Sequence, residues 1–179
     1  KGVFSKDLIL YLIGDVTADG ATYMAAEYTG EAINELSVES RFTISNMAIE
    51  MGAKCGLMQA DKKTEEWVKK HSKKEFSKID PDPDAVYARI NEYDVSDLEP
   101  QIAQPHTVDN VSPISIVAGT PVQQGVIGTC TNGRMEDLRI AAGILKGRKI
   151  KSDVRLIIAP SSRQIMLQAI REGLLEIFV

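Results

Sequence analysis

The residue best suited to chemistry is a cysteine in the stretch GVIGTCTNGRMEDLRIAA, residues 125–142. The apolar run before Gly128 predicts a buried strand, and the apolar positions after the cysteine recur at helical spacing. Cys130 is therefore expected at the carboxyl end of a strand, facing a helix that Thr131 and Asn132 can cap. A helix N-terminus favours the thiolate, the form that attacks electrophiles or binds metal. Open α/β sheets bind their ligands at the same edge.

A buried and inert cysteine is the alternative interpretation, because cysteine is among the most buried residue types. The dipeptide at Asn132 and Gly133 also fits a simple turn with no chemistry in it. The spacing of these residues leaves both interpretations open.

A second set of candidate residues lies on the predicted helix TISNMAIEMGA, residues 43–53. Asn46 and Glu50 are four residues apart, which places both side chains on one face of an α-helix. An amide and a carboxylate on one stripe can orient a ligand and exchange a proton, and the alternative is a polar stripe that meets water. The apolar residues around them are expected to point into the packing: Met47, Ile49 and Met51.

The remaining polar candidates carry weaker signals. His71 and His106 have no partner at metal-ligand spacing. Ser161 and Ser162 follow a predicted strand, where backbone amides can hold a carboxylate or phosphate, although helix capping explains them equally well. The Lys-rich stretch at residues 61–84 predicts a solvated helix and a surface loop, with a phosphate- or acid-binding arm as the alternative.

Composition narrows the class of protein. The 179 residues carry a net charge of −4, which argues against nucleic acid or an anionic membrane as the main partner. Two distant cysteines indicate a reducing cytoplasm rather than a disulfide scaffold. The longest apolar run, Leu8 to Ile13, is too short to span a bilayer. The chain opens on KGVFSKD and stops on LLEIFV, so we expect a piece of a longer protein.

The elements that position these residues predict an α/β chain in two domains, residues 1–112 and 113–179, joined at the Pro-punctuated linker QPHTVDNVSPI. Strand, helix, strand and helix in succession imply a parallel sheet after the linker. Before the linker, the predicted elements are a helix over 6–16 capped by Ser5, a strand in 21–30, a helix over 30–36, a helix ending at Gly52 and opened by Ser37 or Ser40, a strand in 54–60, a helix over 64–71 and a strand in 85–100. Beyond it they are strands over 123–128 and 154–158 and helices over 134–146 and 161–172.

Two of these motifs, IGTCTNGRMEDLRIAA and ISNMAIEMGAK, resemble the aconitase superfamily of iron–sulfur hydro-lyases. The likeness is greatest to its branch of 3-isopropylmalate dehydratase and homoaconitase large subunits. SKDLILYLIG, GATYMAAEYTGEAI, QPHTVDNV and REGLLEIFV fit the same branch in the same order. The resemblance implies a fragment of a three-layer α/β/α iron–sulfur domain with mixed and parallel sheets.

The resemblance also implies roles for four residues. The cysteine of the family's CTN motif is one of three thiolates that hold a [4Fe–4S] cluster, which implies that Cys130 is a metal ligand. Glu50 is implied as the catalytic carboxylate beside the open iron, with Asn46 and Asn132 close to the cluster and substrate. The other two cluster cysteines form a C-x-x-C in the family that follows the end of this chain. We therefore expect the chain alone to hold no intact cluster and to be inactive.

The implied reaction is the dehydration and rehydration of a hydroxy di- or tricarboxylate, which moves a hydroxyl between adjacent carbons of a substituted malate. The family performs it with a small, swivelling-domain subunit. The expected substrate is 3-isopropylmalate, in leucine biosynthesis, and homocitrate is the alternative. Two other classes stay open: a non-catalytic protein-interaction or RNA-binding module, and a thiol enzyme that uses Cys130 as its nucleophile.

Overall fold

Helices and short strands alternate along the chain, and the computed structural model, which describes residues 2–179, groups them into two units that divide between Ile114 and Ser115. The first unit contains α1 (Ser5–Val16), β1 (Ala25–Tyr28), α2 (Glu31–Glu35), α3 (Val38–Met47), a 3-10 helix (Ala48–Met51), β2 (Cys55–Met58), α4 (Lys62–His71), β3 (Gln101–Ala103) and β4 (Val111–Pro113). A 3-10 helix at Ile114–Val117 crosses the division. The second unit contains β5 (Gln124–Gly128), α5 (Thr129–Asn132), α6 (Met135–Leu145), β6 (Arg155–Ala159), α7 (Arg163–Arg171) and α8 (Leu174–Phe178).

Two pairs of parallel strands form the centres of the two units. β1 pairs with β2, with Ala25 opposite Cys55, and β5 pairs with β6, with Gly128 opposite Ala159. Parallel strands need a crossover connection, and here the crossovers contain α2 and α3 in the first unit and α6 in the second. β3 and β4 form a separate antiparallel pair. The predicted α/β class with parallel sheets is confirmed. Among residues 2–179 no sheet contains both parallel and antiparallel strands, so the predicted mixed sheet is not observed there.

Each unit has its own apolar core. In the first, α1 packs on α3 through Ile9, Ile13 and Ile44, all fully buried. Ile9 and Ile13 belong to the apolar run between Leu8 and Ile13. In the second, Leu138 of α6 and Ala169 of α7 are fully buried in one cluster. These cores hold the helices against the strands of each unit.

Helix starts follow prediction at α3 but not at α1. Ser37 is confirmed as the N-cap of α3, because its hydroxyl accepts a hydrogen bond from the Ser40 amide at 3.0 Å. The capping role predicted for Ser5 is wrong: Phe4 occupies the N-cap position and its amide donates to the Asp7 carboxylate at 2.7 Å. In a capping box, the side chain at the third helical position accepts a hydrogen bond from the amide of the N-cap residue, and Asp7 does this for Phe4.

The strand predicted within 85–100 is wrong, because residues 72–100 contain no strand or helix. Val86, at the start of the alternating pattern, is 95% exposed. The segment is attached by side chains instead; for example, the Tyr87 hydroxyl donates to Glu27 at 2.6 Å. Apolar alternation stabilises a strand only where one face finds a surface to pack on.

An ion pair between the buried Arg41 and the partly exposed Asp61 joins α3 to the start of α4. Arg41 is 6% exposed and its guanidinium donates to Asp61 and to the Asn34 carbonyl. The other oxygen of Asp61 caps α4 by accepting from the Thr64 amide at 2.9 Å. The hydrogen bond from Arg41 holds the pKa of Asp61 well below its usual range. Asp61 therefore does two things: it neutralises the Arg41 guanidinium and it caps the N-terminus of α4.

Two substitutions separate these roles. Asp61→Asn is expected to lower the free energy of unfolding by about 1–3 kcal/mol, because it leaves a buried guanidinium without its counter-charge but keeps the cap. Asp61→Ala is expected to cost about 1 kcal/mol more, since the cap is lost too. Urea unfolding followed by Trp67 fluorescence measures both. The control is Asp84→Asn, in the exposed segment, and equal stability of Asp61→Asn and wild type would contradict the assignment.

Candidate functional site

Where β5 ends, its backbone lies very close to the backbone of β6. Gly128 ends the strand at φ +149°, and a Cβ there would overlap the carbonyl of Ala159. Thr129 follows at φ +65°, a left-handed conformation that is uncommon for a residue other than glycine. Such outliers persist where the surrounding structure holds them. The residue that follows this turn is presented by a rigid frame.

Cys130 follows, inside the four-residue helix α5, and its side chain is exposed. The prediction that Cys130 lies at the carboxyl end of the strand is therefore wrong by two residues, because Gly128 and Thr129 turn the chain directly into a helical turn. The parallel strand itself is confirmed, but its predicted burial is wrong, because Val126 is 57% exposed. Within residues 2–179 the Cys130 side chain is exposed, which contradicts the alternative of a buried cysteine.

Asn132 connects this turn to the start of α6. Its side-chain amide donates to one oxygen of Asp137 at 3.0 Å, and the other oxygen accepts from the Arg134 amide at 3.0 Å. The predicted capping by Thr131 and Asn132 is wrong, since Arg134 is the N-cap residue and Asp137 satisfies its amide. Asn132 is instead fixed near the helix start by a carboxylate inside the first turn.

The close approach of Gly128 to β6 predicts the effect of a substitution on stability. Gly128→Ala is expected to lower the stability of the second unit by about 2–4 kcal/mol, because the φ is unfavourable for alanine and the added methyl overlaps backbone. Gly143→Ala is the matched control: nothing lies within 4 Å of its Cβ position in α6, so a gain of about 0.5–1 kcal/mol is expected. Thermal unfolding compares the two, and similar effects would contradict the close approach at Gly128.

Ser161 and Ser162 lie at the corresponding end of β6. The Ser162 hydroxyl accepts from the Ile165 amide at 3.2 Å and caps α7. The Ser161 amide donates to the Gly133 carbonyl at 2.8 Å. The Ser162 hydroxyl and the Ser161 amide are therefore both engaged in hydrogen bonds within the chain, which favours the capping interpretation.

Asn46 and Glu50 lie on two different helices. α3 ends at Met47, and Glu50 belongs to the following 3-10 helix, so the predicted single helix carrying both residues is wrong. A 3-10 helix advances more per residue than an α-helix, and the four-residue spacing no longer defines one stripe. The turn ends, as predicted, at Gly52, with φ +84°.

The side chains of Asn46 and Glu50 are nevertheless both exposed, and the 3-10 helix follows α3 without a break. Within residues 2–179, the Glu50 carboxylate makes no hydrogen bond or ion pair. Met47 and Met51 are buried as expected, but Ile49 is 69% exposed, so its predicted packing is wrong. The carboxylate is thus held at a surface without a partner from this part of the chain.

A cation and an aromatic ring beside this turn were not predicted. The Lys54 ammonium lies 4.2 Å from the centroid of the Tyr23 ring. Tyr23 is 83% exposed and has φ +64°. The two residues are 31 apart, and no spacing rule connects them, so only the tertiary fold could reveal the pair.

The donors of the described chain do not complete an iron–sulfur site. Cubane clusters are held by several cysteine thiolates, whereas the second unit contributes Cys130 and the other cysteine, Cys55, begins β2 of the first. Among residues 2–179 no group of three or more His, Cys, Asp or Glu side chains could hold a metal ion. Cys130 fits the role of one ligand, and the rest of a ligand set is not present among these residues.

Comparison with known proteins gives a consistent picture. The sequence profile of the Aconitase family (aconitate hydratase) matches residues 1–120 and 115–179. The chain is 53% identical to a 3-isopropylmalate dehydratase large subunit from Halothermothrix orenii, over 99% of the chain and 42% of that relative. It is 52% identical to a probable methanogen homoaconitase large subunit from Methanosarcina mazei, over 100% of the chain and 45% of that relative. The chain thus spans less than half the length of these curated relatives.

A search of residues 2–179 for membrane segments found no helix with the length and apolar character needed to cross a bilayer.

Proposed function

The chain belongs to the aconitase family, and on this premise we propose that it is part of the large subunit of a [4Fe–4S] hydro-lyase of the 3-isopropylmalate dehydratase and homoaconitase type. The observation that carries the proposal is the exposed Cys130 on the turn between β5 and α6. Because Gly128 and Asn132 are fixed on either side of it, the thiol is presented in a defined direction. A cluster ligand needs that rigidity.

The four candidate residues have separate roles in this proposal. Cys130 supplies one thiolate to a cluster whose other ligands lie outside this chain. Asn132, held by Asp137 at 3.0 Å, orients the turn around the thiolate. Glu50, exposed and without a charge partner among residues 2–179, transfers a proton to or from the substrate. Asn46, exposed on the last turn of α3, orients the bound substrate.

The proposed reaction balances as loss and return of one water. A C–O bond and the C–H bond on the adjacent carbon break, water leaves, and a carbon–carbon double bond forms. Water then adds back with the hydroxyl on the other carbon. The proposed substrate is 3-isopropylmalate, because relatives with that name reach 53% identity, and homocitrate is the second candidate because of the methanogen relative. We place the reaction in the cytoplasm with a small subunit as partner.

The test uses the full-length large subunit, purified anaerobically with its small subunit. Incubation with 3-isopropylmalate and, separately, with homocitrate should give the ultraviolet absorbance of an α,β-unsaturated acid from one of them. Failure to turn over either acid, with the cluster intact, would overturn the proposal. Tight binding of RNA that falls steeply with salt would instead support the non-catalytic alternative.

A further inference from the structure

We propose that Lys54 and Tyr23 form a carboxylate-binding subsite beside Glu50, in which the Lys54 ammonium holds a carboxylate of the substrate. This inference rests on the proposed function, since it assigns a positioning role for a hydroxy di- or tricarboxylate. It is carried by the backbone around Glu50, the conformation of Tyr23 and the unpaired charge of Lys54.

The backbone brings the pair next to the turn that carries Glu50. The Ala21 amide donates to the Met51 carbonyl at 2.9 Å, and the Lys54 amide donates to the Met24 carbonyl at 2.8 Å. Between these bonds, Gly52 lies so close to Thr22 that an added Cβ would be 2.7 Å from the Thr22 hydroxyl oxygen.

Residues 21–24 and 51–54 therefore run side by side, just before β1 and β2 begin to pair at Ala25 and Cys55. The 3-10 helix that contains Glu50 leads directly into this edge. Lys54 and Tyr23 are thus placed at the amino edge of the parallel pair, and Glu50 precedes Lys54 by only four residues.

Tyr23 is held in a conformation that burial does not explain. Its φ of +64° is a genuine outlier for a bulky side chain. With 83% of the residue exposed, little apolar area is removed from water in return. The ring contacts the Lys54 ammonium, which lies 4.2 Å from its centroid. Strain of this kind is concentrated at ligand-binding positions.

The charge of Lys54 is held by the ring but is not neutralised. No carboxylate among residues 2–179 lies within ion-pair distance of its ammonium, including that of Glu50 four residues away. A cation–π contact leaves the three N–H donors of the ammonium able to bind an anion. The ammonium that lies on the Tyr23 ring therefore still has donors for a carboxylate of the substrate.

Steady-state kinetics of the full-length subunit with its small subunit and cluster test the subsite. Lys54→Met is expected to raise KM ~10–100-fold, the effect of losing a hydrogen bond between charged groups, with kcat within ~3-fold of wild type. Lys54→Arg keeps the cation over the ring and is expected to restore most of the affinity. Tyr23→Leu removes the ring and is expected to raise KM to a smaller extent. Lys149→Met, an exposed lysine of the other unit, is the control and should match wild type.

The outcomes separate the two proposals. If the wild-type complex turns over neither acid, the proposed function is wrong, and the subsite that rests on it is wrong too. If wild type is active and Lys54→Met leaves KM unchanged, or lowers kcat alone, the subsite is wrong. Circular dichroism and cluster content verify folding, and Lys54→Gln, which keeps a polar exposed side chain, repeats the measurement if the methionine variant does not fold.

Discussion

Glu50→Gln in the full-length subunit, assembled with its small partner, is expected to lower kcat by at least ~10²-fold with cluster content unchanged. Glutamine keeps the shape of the side chain but can neither accept a proton nor carry charge. General acid–base assistance typically contributes ~10²–10⁴-fold to a rate. Steady-state turnover, with iron and sulfide determined on the same preparation, measures the effect.

The matched control is Glu31→Gln, an exposed carboxylate in the first turn of α2. Surface substitutions of this kind have small effects, so its turnover should equal that of wild type. Near-normal turnover of Glu50→Gln would return Glu50 to the class of solvated surface residues. Loss of the cluster in Glu50→Gln would mean that the residue supports the site structurally rather than moving a proton.

Cys130→Ser in the same complex is expected to abolish both stoichiometric cluster and turnover. The side chains are nearly the same size, but the serine hydroxyl does not ionise at neutral pH and is a poor ligand for the metals that thiolates select. Iron and sulfide content, the visible absorption of the cluster and the rate with 3-isopropylmalate should therefore fall together.

Cys55→Ser provides the internal control, because Cys55 is also an exposed thiol but begins β2 in the first unit. It should keep the cluster and the rate. A Cys130→Ser protein with full cluster and wild-type turnover would remove Cys130 from the ligand set. Full cluster with lost turnover would instead favour direct participation of the thiol in the reaction.

Local patterns were sufficient for most regular elements. The β5–α6–β6–α7 order after residue 122 was predicted to within two residues at each end, because strand and helix periods differ and glycine marks the turn. Ser37 was one of two expected openings of α3, since a hydroxyl before a helix satisfies its first amides. The motif around Cys130 also pointed to the correct family.

The features that sequence patterns did not predict depend on contacts between residues far apart in the chain. The alternating residues after 85 form no strand because nothing packs on them, and Val86 stays 95% exposed. The helix with Asn46 and Glu50 tightens into a 3-10 turn where residues 51–54 meet residues 21–24. Lys54 reaches Tyr23 only through that meeting. Periodicity and capping act within a few residues, so sequence patterns can predict them, whereas the exposure, strain and charge pairing of a side chain depend on which distant segments pack beside it.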